Sequence, residues 1–458
     1  MIEIIALGLL VALVAFWRAG NSLRSLLIAW LVAVTPSTLG LIHYSYQYTG
    51  SNRYAAYIAA SIISFMIGYF GYYQVAGYKL AQKADLKPQS FDYFDTFRQP
   101  IIFVGITAFL AITFMLLDVV TSGIDVADLT SIRAEVVSRD SSSVLARLAS
   151  ITTWACFVCL AFAVYYRERL SRPVILLLLL LGAGTVLSSL FSAGRQALLQ
   201  TILLLIFVEG YRRKTTTVAR GKGVLGRALV ITAVIAVFLY VSLTRSRSDY
   251  GLARVDVLLR LFGADLPPGF EDFLSYFPTD ISDFLVEVVL YLSHSVPLFS
   301  IFADIEFPER YWGQNSFPFL FRQIEPITGW SVQSALLTKI EYLNASGVLG
   351  VGWNTALSQT SMDFGLFGTT VLYGIFGWLS RFWEVRAKYQ PGFIPSTMSS
   401  LLMISAIYTP FVLLFSDTSM LFLFLFMTIM SGMSSTLSRR VASSQGVMRN
   451  ANDQGVAA

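Results

Sequence analysis

Histidine, cysteine and charge are all scarce in this chain. Its 458 residues hold two histidines, His43 and His294, and two cysteines, Cys156 and Cys159. Zinc centres and disulfide frameworks draw on larger sets of these residues, so neither is expected and no metal ligands are assigned. Charged residues make up 13% of the chain and hydrophobic ones 55%, with a mean hydropathy of +0.64. A soluble chain carries about 25% charged residues. The length alone would suggest two or three soluble domains, but too little charge is present to cover their surfaces. The formal charge is +5 and the sequence pI near 9.0. A basic excess in a soluble protein can mark nucleic-acid binding; the placement of the charges here gives it another meaning.

Soluble-enzyme signatures are missing as well. Gly221-Lys222-Gly223-Val224 lacks the spacing of a phosphate-binding loop and lies in a basic stretch. There is no GxSxG nucleophile elbow and no HExxH. Cys156-Phe-Val-Cys159 has CxxC spacing but falls inside an apolar run, where two buried thiols of a helix are the simpler reading. No fixed-period repeat supports a solenoid.

What the chain has in quantity is long apolar segments. Crossing about 30 Å of hydrocarbon takes about 20 residues in a helix. About eleven segments qualify, near 2–17, 25–44, 54–77, 101–118, 146–166, 173–191, 196–210, 228–244, 364–383, 397–415 and 419–436. The expected fold class is therefore an all-α polytopic membrane protein. The first segment has no basic leader or small-residue cleavage site, so it reads as a retained helix rather than a signal peptide. Four regions follow: a membrane part over 1–244, a large loop over 245–363, a second membrane part over 364–436, and a small, polar tail over 437–458 expected to be disordered.

Alternate connections are basic. One side collects Arg18 and Arg24, Lys79 to Arg98, Arg167 to Arg172, Arg212 to Arg227, Arg381 to Lys388, and Arg439 to Arg449. The positive-inside rule makes this side cytoplasmic, with the N-terminus outside and the C-terminus inside. On that assignment 21 basic residues face 7 acidic ones inside, while 12 face 21 outside. The basic excess is then topological and implies no nucleic-acid partner. The outer cations are eleven arginines and Lys339.

The outer loop of about 120 residues is too long for a passive connector. Within it, 282–303 is apolar enough to enter the membrane but contains Glu287 and His294, which favours a surface or re-entrant helix. Arginine is a natural partner for phosphate, being planar, permanently charged and bidentate. Arg195 stands at the elbow between two spans, where an unpaired guanidinium is costly. Arg245 and Arg247 follow the outer end of another span, with Arg254, Arg260, Arg310 and Arg322 further along the loop. Contact with lipid headgroups or nearby carboxylates is the plainer role for any one of them. Glu287, Tyr291 and His294 share a helical face, and histidine is the common base near neutral pH; a polar stripe turned to water explains that face equally. Asp363 precedes a span, where it can accept a proton, meet an arginine, or cap the helix. Loop aromatics such as Trp312, Trp330 and Trp353 suit sugar rings, and suit the membrane interface as well.

Three strings then read together: Phe191-Ser-Ala-Gly-Arg195; 287–321; and Gly350-Val-Gly-Trp-Asn354-Thr355 with Met362-Asp363-Phe364-Gly365-Leu366-Phe367-Gly368. With the span layout and the late outer loop, they resemble the Wzy-type O-antigen or exopolysaccharide polymerases. The resemblance rests on architecture over most of the chain and on some forty residues by motif. It implies a GT-C-like polymerase and ligase architecture in the bacterial inner membrane, with the active site on the periplasmic side. The implied reaction joins oligosaccharide units carried on undecaprenyl pyrophosphate, with polyprenyl pyrophosphate as leaving group and no metal or nucleotide cofactor. It also implies work beside a flippase and a chain-length regulator, in contact with membrane lipids. By resemblance, Arg195, Arg245 and Arg247 belong at the pyrophosphate, with Arg254 and Arg310 as second choices, and Asn354 and Asp363 border the site. His294 has no counterpart in the family motif. Related O-antigen ligases carry a marked histidine in the late outer loop, and 354–368 has none. A ligase, a lipid-linked sugar flippase and a structural membrane subunit are the competing readings. A flippase is expected to show inverted repeats and charges deep within spans, whereas here most spans are charge-free.

Overall fold

A computed structural model of the chain describes residues 2–17, 20–44, 53–72, 93–122, 143–191, 196–215, 254–304, 310–322, 329, 341 and 355–433. Among these the molecule is a helical bundle with one short strand pair. The helices are α1 (Ile2–Ala15), α2 (Asn21–Thr38), α3 (Arg53–Tyr72), α4 (Tyr93–Thr121), α5 (Val144–Thr152), α6 (Trp154–Tyr165), α7 (Arg172–Gly182) and α8 (Gly184–Phe191). They continue with α9 (Gln196–Thr215), α10 (Arg254–Leu261), α11 (Pro268–Leu274), α12 (Thr279–Ser293), α13 (Ser295–Asp304), α14 (Ala356–Tyr389), α15 (Phe393–Tyr408) and α16 (Thr418–Met433). Strands β1 (His43–Tyr44) and β2 (Ala264–Asp265) pair antiparallel, His43 opposite Asp265.

Six helical stretches are long and apolar enough to cross a membrane: Arg53–Tyr72, Pro100–Thr121, Val144–Tyr165, Arg172–Ser189, Ile281–Ala303 and Ala356–Tyr389. This is the build of an α-helical membrane protein. On α4, Val104, Ala108, Ala111, Met115 and Val119 are buried, while Ile102, Phe103, Ile106, Phe109, Leu116 and Val120 are exposed. A helix apolar on both faces, one packed inward and one bare, matches a hydrocarbon surround.

The expected segments overlap described helices except 228–244, which, like 73–77, 434–436 and the tail over 437–458, lies outside the described residues. Three details differ. The span expected over 364–383 falls on the second half of α14, after Gly365, and is preceded by a further helical stretch from Ala356 that Thr355 caps, its hydroxyl accepting from the Ser358 N–H at 3.0 Å. The segments at 146–166 and 173–191 are each broken, at Thr153 and at Ala183. Thr153 turns its hydroxyl onto the Ala149 carbonyl, and glycines flank Ala183. Finally, 282–303 is two helices that meet at His294. Val286 shares an apolar cluster with Leu41, Ser293 bonds the Tyr44 hydroxyl at 2.7 Å, and Phe299 packs edge-on against Tyr57. Successive turns of this pair thus meet the connection between α2 and α3 and the first turns of α3.

The tightest packing is between α3 and α14. A Cβ at Gly68 would stand 1.9 Å from the Gly374 carbonyl oxygen, and one at Gly377 would stand 2.0 Å from that of Phe65. The Ser64 hydroxyl donates to the Thr370 carbonyl at 2.6 Å. Small residues four apart on each helix allow backbone-to-backbone contact, the usual basis of helix association in lipid. At the far end of the pair, Glu384 of α14 accepts from the Ser22 N–H at the start of α2 and from the Tyr69 hydroxyl, with Arg381 3.6 Å away. A carboxylate there complements the N-terminal dipole of α2, whose own cap residue, Gly20, has no side chain. Nearby, α9 carries Arg212, 4% exposed and bonded to both Glu209 and Glu168. This end of the bundle is termed the basic end below.

The expected consequence is a contrast within α3. Gly68→Leu forces the two backbones apart and lowers stability by about 1–3 kcal/mol or more. Gly71→Ala meets nothing within 4 Å and is neutral or stabilising by about 0.5–1 kcal/mol. Chemical unfolding of both variants in detergent micelles checks the difference.

Candidate functional site

The end of α14 opposite the basic end contains a break. Gly365 has φ +68° and ψ −174°, which splits the helix into 356–364 and 366–389. Only glycine adopts that backbone freely. A break of this kind strands the last carbonyls of the first half and the first N–H groups of the second. The stranded carbonyls are met in order by three successive residues. Arg310 Nη1 donates to the Ser361 carbonyl at 3.4 Å, Tyr311 N to Met362 at 3.5 Å, and Trp312 N to Asp363 at 3.2 Å.

The Asp363 side chain ties the loop down. Oδ1 accepts from the backbone N and from Nδ2 of Asn315, both at 3.1 Å, and Oδ2 accepts from the Ser316 N–H at 2.7 Å. The carboxylate is fully buried. Gln359, one turn earlier, joins the same structure: its amide donates to the Asn315 carbonyl at 3.4 Å and accepts from the Leu413 N–H at 2.7 Å. The sequence offered Asp363 as a proton acceptor, an arginine partner or a helix cap. Thr355 caps the helix, and among the described residues the Asp363 carboxylate meets the 315–316 backbone rather than an arginine. Its place is that of an anchor, pinning the loop over the break.

Two features of that loop face outward. Trp312 has φ +49° and is 63% exposed. A non-glycine residue at positive φ is strained, and such strain gathers at functional sites. Arg310 is exposed, and its guanidinium lies against Gly365, where an added Cβ would stand 2.9 Å from Cζ. The second half-helix thus starts beside a fixed cation. The N-terminal end of a helix favours negative charge through its dipole, and Arg310 adds to that field. Phe367, in its first turn, is 83% exposed. The arrangement suits an anion carrying an apolar or ring-shaped appendage.

The other expected residues fall as follows. Arg195, Arg245, Arg247 and Asn354 lie outside the described residues, and Arg254 opens α10 with its side chain outside them. Glu287, Tyr291 and His294 lie on α12 and at its end. Glu287 is 4% exposed and His294 fully buried, so a stripe turned to water is excluded. His294 Nδ1 stands 2.8 Å from the Leu290 carbonyl, which assigns the proton to Nδ1, and its ring packs on Phe262 at 4.7 Å. Arg310 and Asp363 are thus brought together on one loop and one helix break. His294 meets Phe262, just after α10, Leu290 and Tyr291 of α12, and the Leu298 N–H of α13. Asn315, Ser316 and Gln359 were not foreseen. Asn315 and Ser316 reach Asp363 across 48 and 47 residues, a separation no local spacing reveals. Among the described residues no group of three or more His, Cys, Asp or Glu side chains could hold a metal ion.

No protein-family model matches this chain, and no curated protein or solved structure matches it.

The anchoring role carries an expectation. Asp363→Ala leaves buried N–H groups of Asn315 and Ser316 without acceptors, at about 1–3 kcal/mol. Gly365→Ala adds left-handed strain of about 1–3 kcal/mol and pushes on Arg310. Both variants are expected to free the loop, so that limited trypsin digestion cuts after Arg310 or Arg322 faster than in the unaltered protein. Unchanged cleavage rates would show that Asp363 does not hold it.

Proposed function

We propose that this protein is a polysaccharide polymerase of the Wzy type, working on undecaprenyl-pyrophosphate-linked oligosaccharide at the periplasmic face of a bacterial inner membrane. The observation that supports it most is the capped break of α14, where Arg310 stands beside the start of a half-helix. On this reading the bundle has about eleven spans and a GT-C-like architecture, with the basic end of the helices cytoplasmic. The break then lies on the opposite, periplasmic side, as a lipid-linked substrate requires.

The chemistry asks little of the protein beyond charge. An acceptor hydroxyl oxygen attacks the anomeric carbon of the donor sugar. The bond from that carbon to the pyrophosphate oxygen breaks, and the lipid diphosphate leaves with the electron pair. The hydroxyl proton passes to a base or to water. Negative charge grows on the leaving group, and a preorganised guanidinium with half-helix N–H groups is the kind of partner that stabilises it. Arg310 takes that position, and the 310–316 cap holds it against the break. Arg195, Arg245, Arg247 and Arg254 are the further cations assigned to the pyrophosphate, Asn354 borders the site, and the exposed Trp312 offers a ring face to sugar. His294, with Tyr291 and Glu287 on the same buried face, belongs to the support of the α10–α12 layer on this reading. A chain-length regulator and a flippase are the expected partners, and no metal or other cofactor is invoked.

A lipid-linked sugar flippase is the second reading, favoured by the broken α14, since discontinuous helices also form transporter binding sites. An O-antigen ligase uses the same chemistry on another acceptor. Purified protein in liposomes, given a lipid-linked repeat unit and nothing else, separates them. A polymerase yields a ladder of chain lengths, and a flippase leaves the units single. In that assay Arg310→Ala is expected to slow polymer formation about 100-fold or more, the scale for loss of one charge-stabilising donor. Arg195→Ala and Arg247→Ala, with normal protein levels in membranes, are expected to leave single-unit product. Normal ladders from all three variants would overturn the assignment.

A further inference from the structure

At the basic end, the last turns of α14 form a second place where a fixed cation meets an apolar surface. They carry Arg381, Arg386 and Lys388 against a single acid, Glu384. Glu384 is already committed to the Ser22 N–H, the Tyr69 hydroxyl and Arg381. Arg386 is half-buried, and its Cζ lies 4.4 Å from the centre of the Phe382 ring and 5.5 Å from that of Trp383. Cation–π contact with two rings holds the guanidinium in place. Phe382 continues into a ladder of rings. It stacks on Trp378 at 5.6 Å and 14°, and Tyr72 of α3 meets Phe382 and Trp378 edge-on, at 5.7 and 5.5 Å. Trp378 is 43% exposed and ends a stripe with Val371 and Ile375, which are 45% and 50% exposed. Residues spaced by four and three share one helical face, and a bare apolar face on a membrane-spanning helix looks into hydrocarbon.

We infer that the Arg386 end of α14 is a binding site for an anionic phospholipid, with its phosphate on the guanidinium and an acyl chain along Trp378, Ile375 and Val371. The planar N–H fork of arginine matches phosphate oxygens. The cation stands at the end of a stripe that faces hydrocarbon, so the ligand that fits joins an anion to a long apolar chain. A free phosphate uses only the first of these features. A zwitterionic headgroup brings a cation of its own to a helix end with three cations and one committed acid, which favours an anionic lipid. Basic residues gather at one end of membrane-spanning bundles in general. The ring ladder separates Arg386 from that diffuse charge. Lys388 stands beyond the ladder, exposed, with Nζ 4.9 Å from the centre of the Tyr389 ring. The site needs a membrane-spanning chain and is independent of the polymerase reading.

Full-length protein in detergent, titrated with phosphatidylglycerol or phosphatidylcholine, tests this by native mass spectrometry, which resolves each bound lipid and gives its dissociation constant. Phosphatidylglycerol is expected to bind about fivefold or more tightly than phosphatidylcholine. Arg386→Gln keeps most of the stem against the rings and removes the charge; it is expected to weaken phosphatidylglycerol about tenfold, the loss of a charged hydrogen bond. Lys388→Gln removes the same charge from the same helix end and is expected to change the affinity by less than about twofold. Arg386→Lys, which keeps the charge and loses the fork, serves where Arg386→Gln does not fold, with a loss of about threefold. Millimolar inorganic phosphate is expected to leave the bound lipid in place. Equal binding of the two lipids, equal effects of the Arg386 and Lys388 variants, or displacement of the lipid by phosphate would overturn the site. The first result removes the need for an anion, the second spreads the attraction over the whole basic end, and the third removes the role of the chain.

Discussion

Direct contact between the backbones of α3 and α14 is the constraint on which the rest of the structure depends. In hydrocarbon, apolar side chains gain little by exchanging lipid for one another, so helices are held by close approach and by polar contacts that lipid cannot replace. Gly68, Gly374 and Gly377 allow the approach, and the Ser64 hydroxyl adds the polar contact on the Thr370 carbonyl. With α14 fixed to α3 along this length, its two ends are set in space. One end brings Glu384 to the start of α2; the other holds the break at Gly365 against the loop from Arg310.

The break is stable because its unpaired groups are answered. Three carbonyls released by the turn at Gly365 are taken by three residues in register, and the buried carboxylate of Asp363 is surrounded by N–H donors. An uncapped break in a low-dielectric surround would cost several kcal/mol for each unpaired group. The capping is also one-sided. Loop 310–316 covers the carbonyl half of the break, and the Arg310 guanidinium lies against Gly365, where the second half starts. That asymmetry, rather than any single residue, makes the place attractive to an anion.

The polar layer around Asp417 and Gln200 follows the same logic at the ends of α9, α15 and α16. There Oδ1 of Asp417 is taken by the cap of α16, and the Gln200 amide lies beside the same carboxylate. Gln359 stands between the two regions with one amide atom committed to each.

Much of the fold was legible in the sequence, because hydrocarbon imposes length and hydropathy on any helix that crosses it, and 55% hydrophobic residues in long runs have few other uses. The glycine in Met362-Asp363-Phe364-Gly365 was visible as a motif. That it breaks a helix already begun at Ala356, instead of preceding one, was not, since both readings fit the same string. The sequence determined by itself which segments are apolar, where the arginines concentrate and that Arg310 and Asp363 deserved notice. The tertiary structure alone decided that Asp363 is an anchor instead of a cap, that His294 is buried against Phe262, and that Asn315 and Ser316 matter. The physical reason is one of range. Hydropathy and helix period act over a few neighbouring residues and can be read along the chain. The pairing of a buried polar group depends on which distant segment arrives beside it.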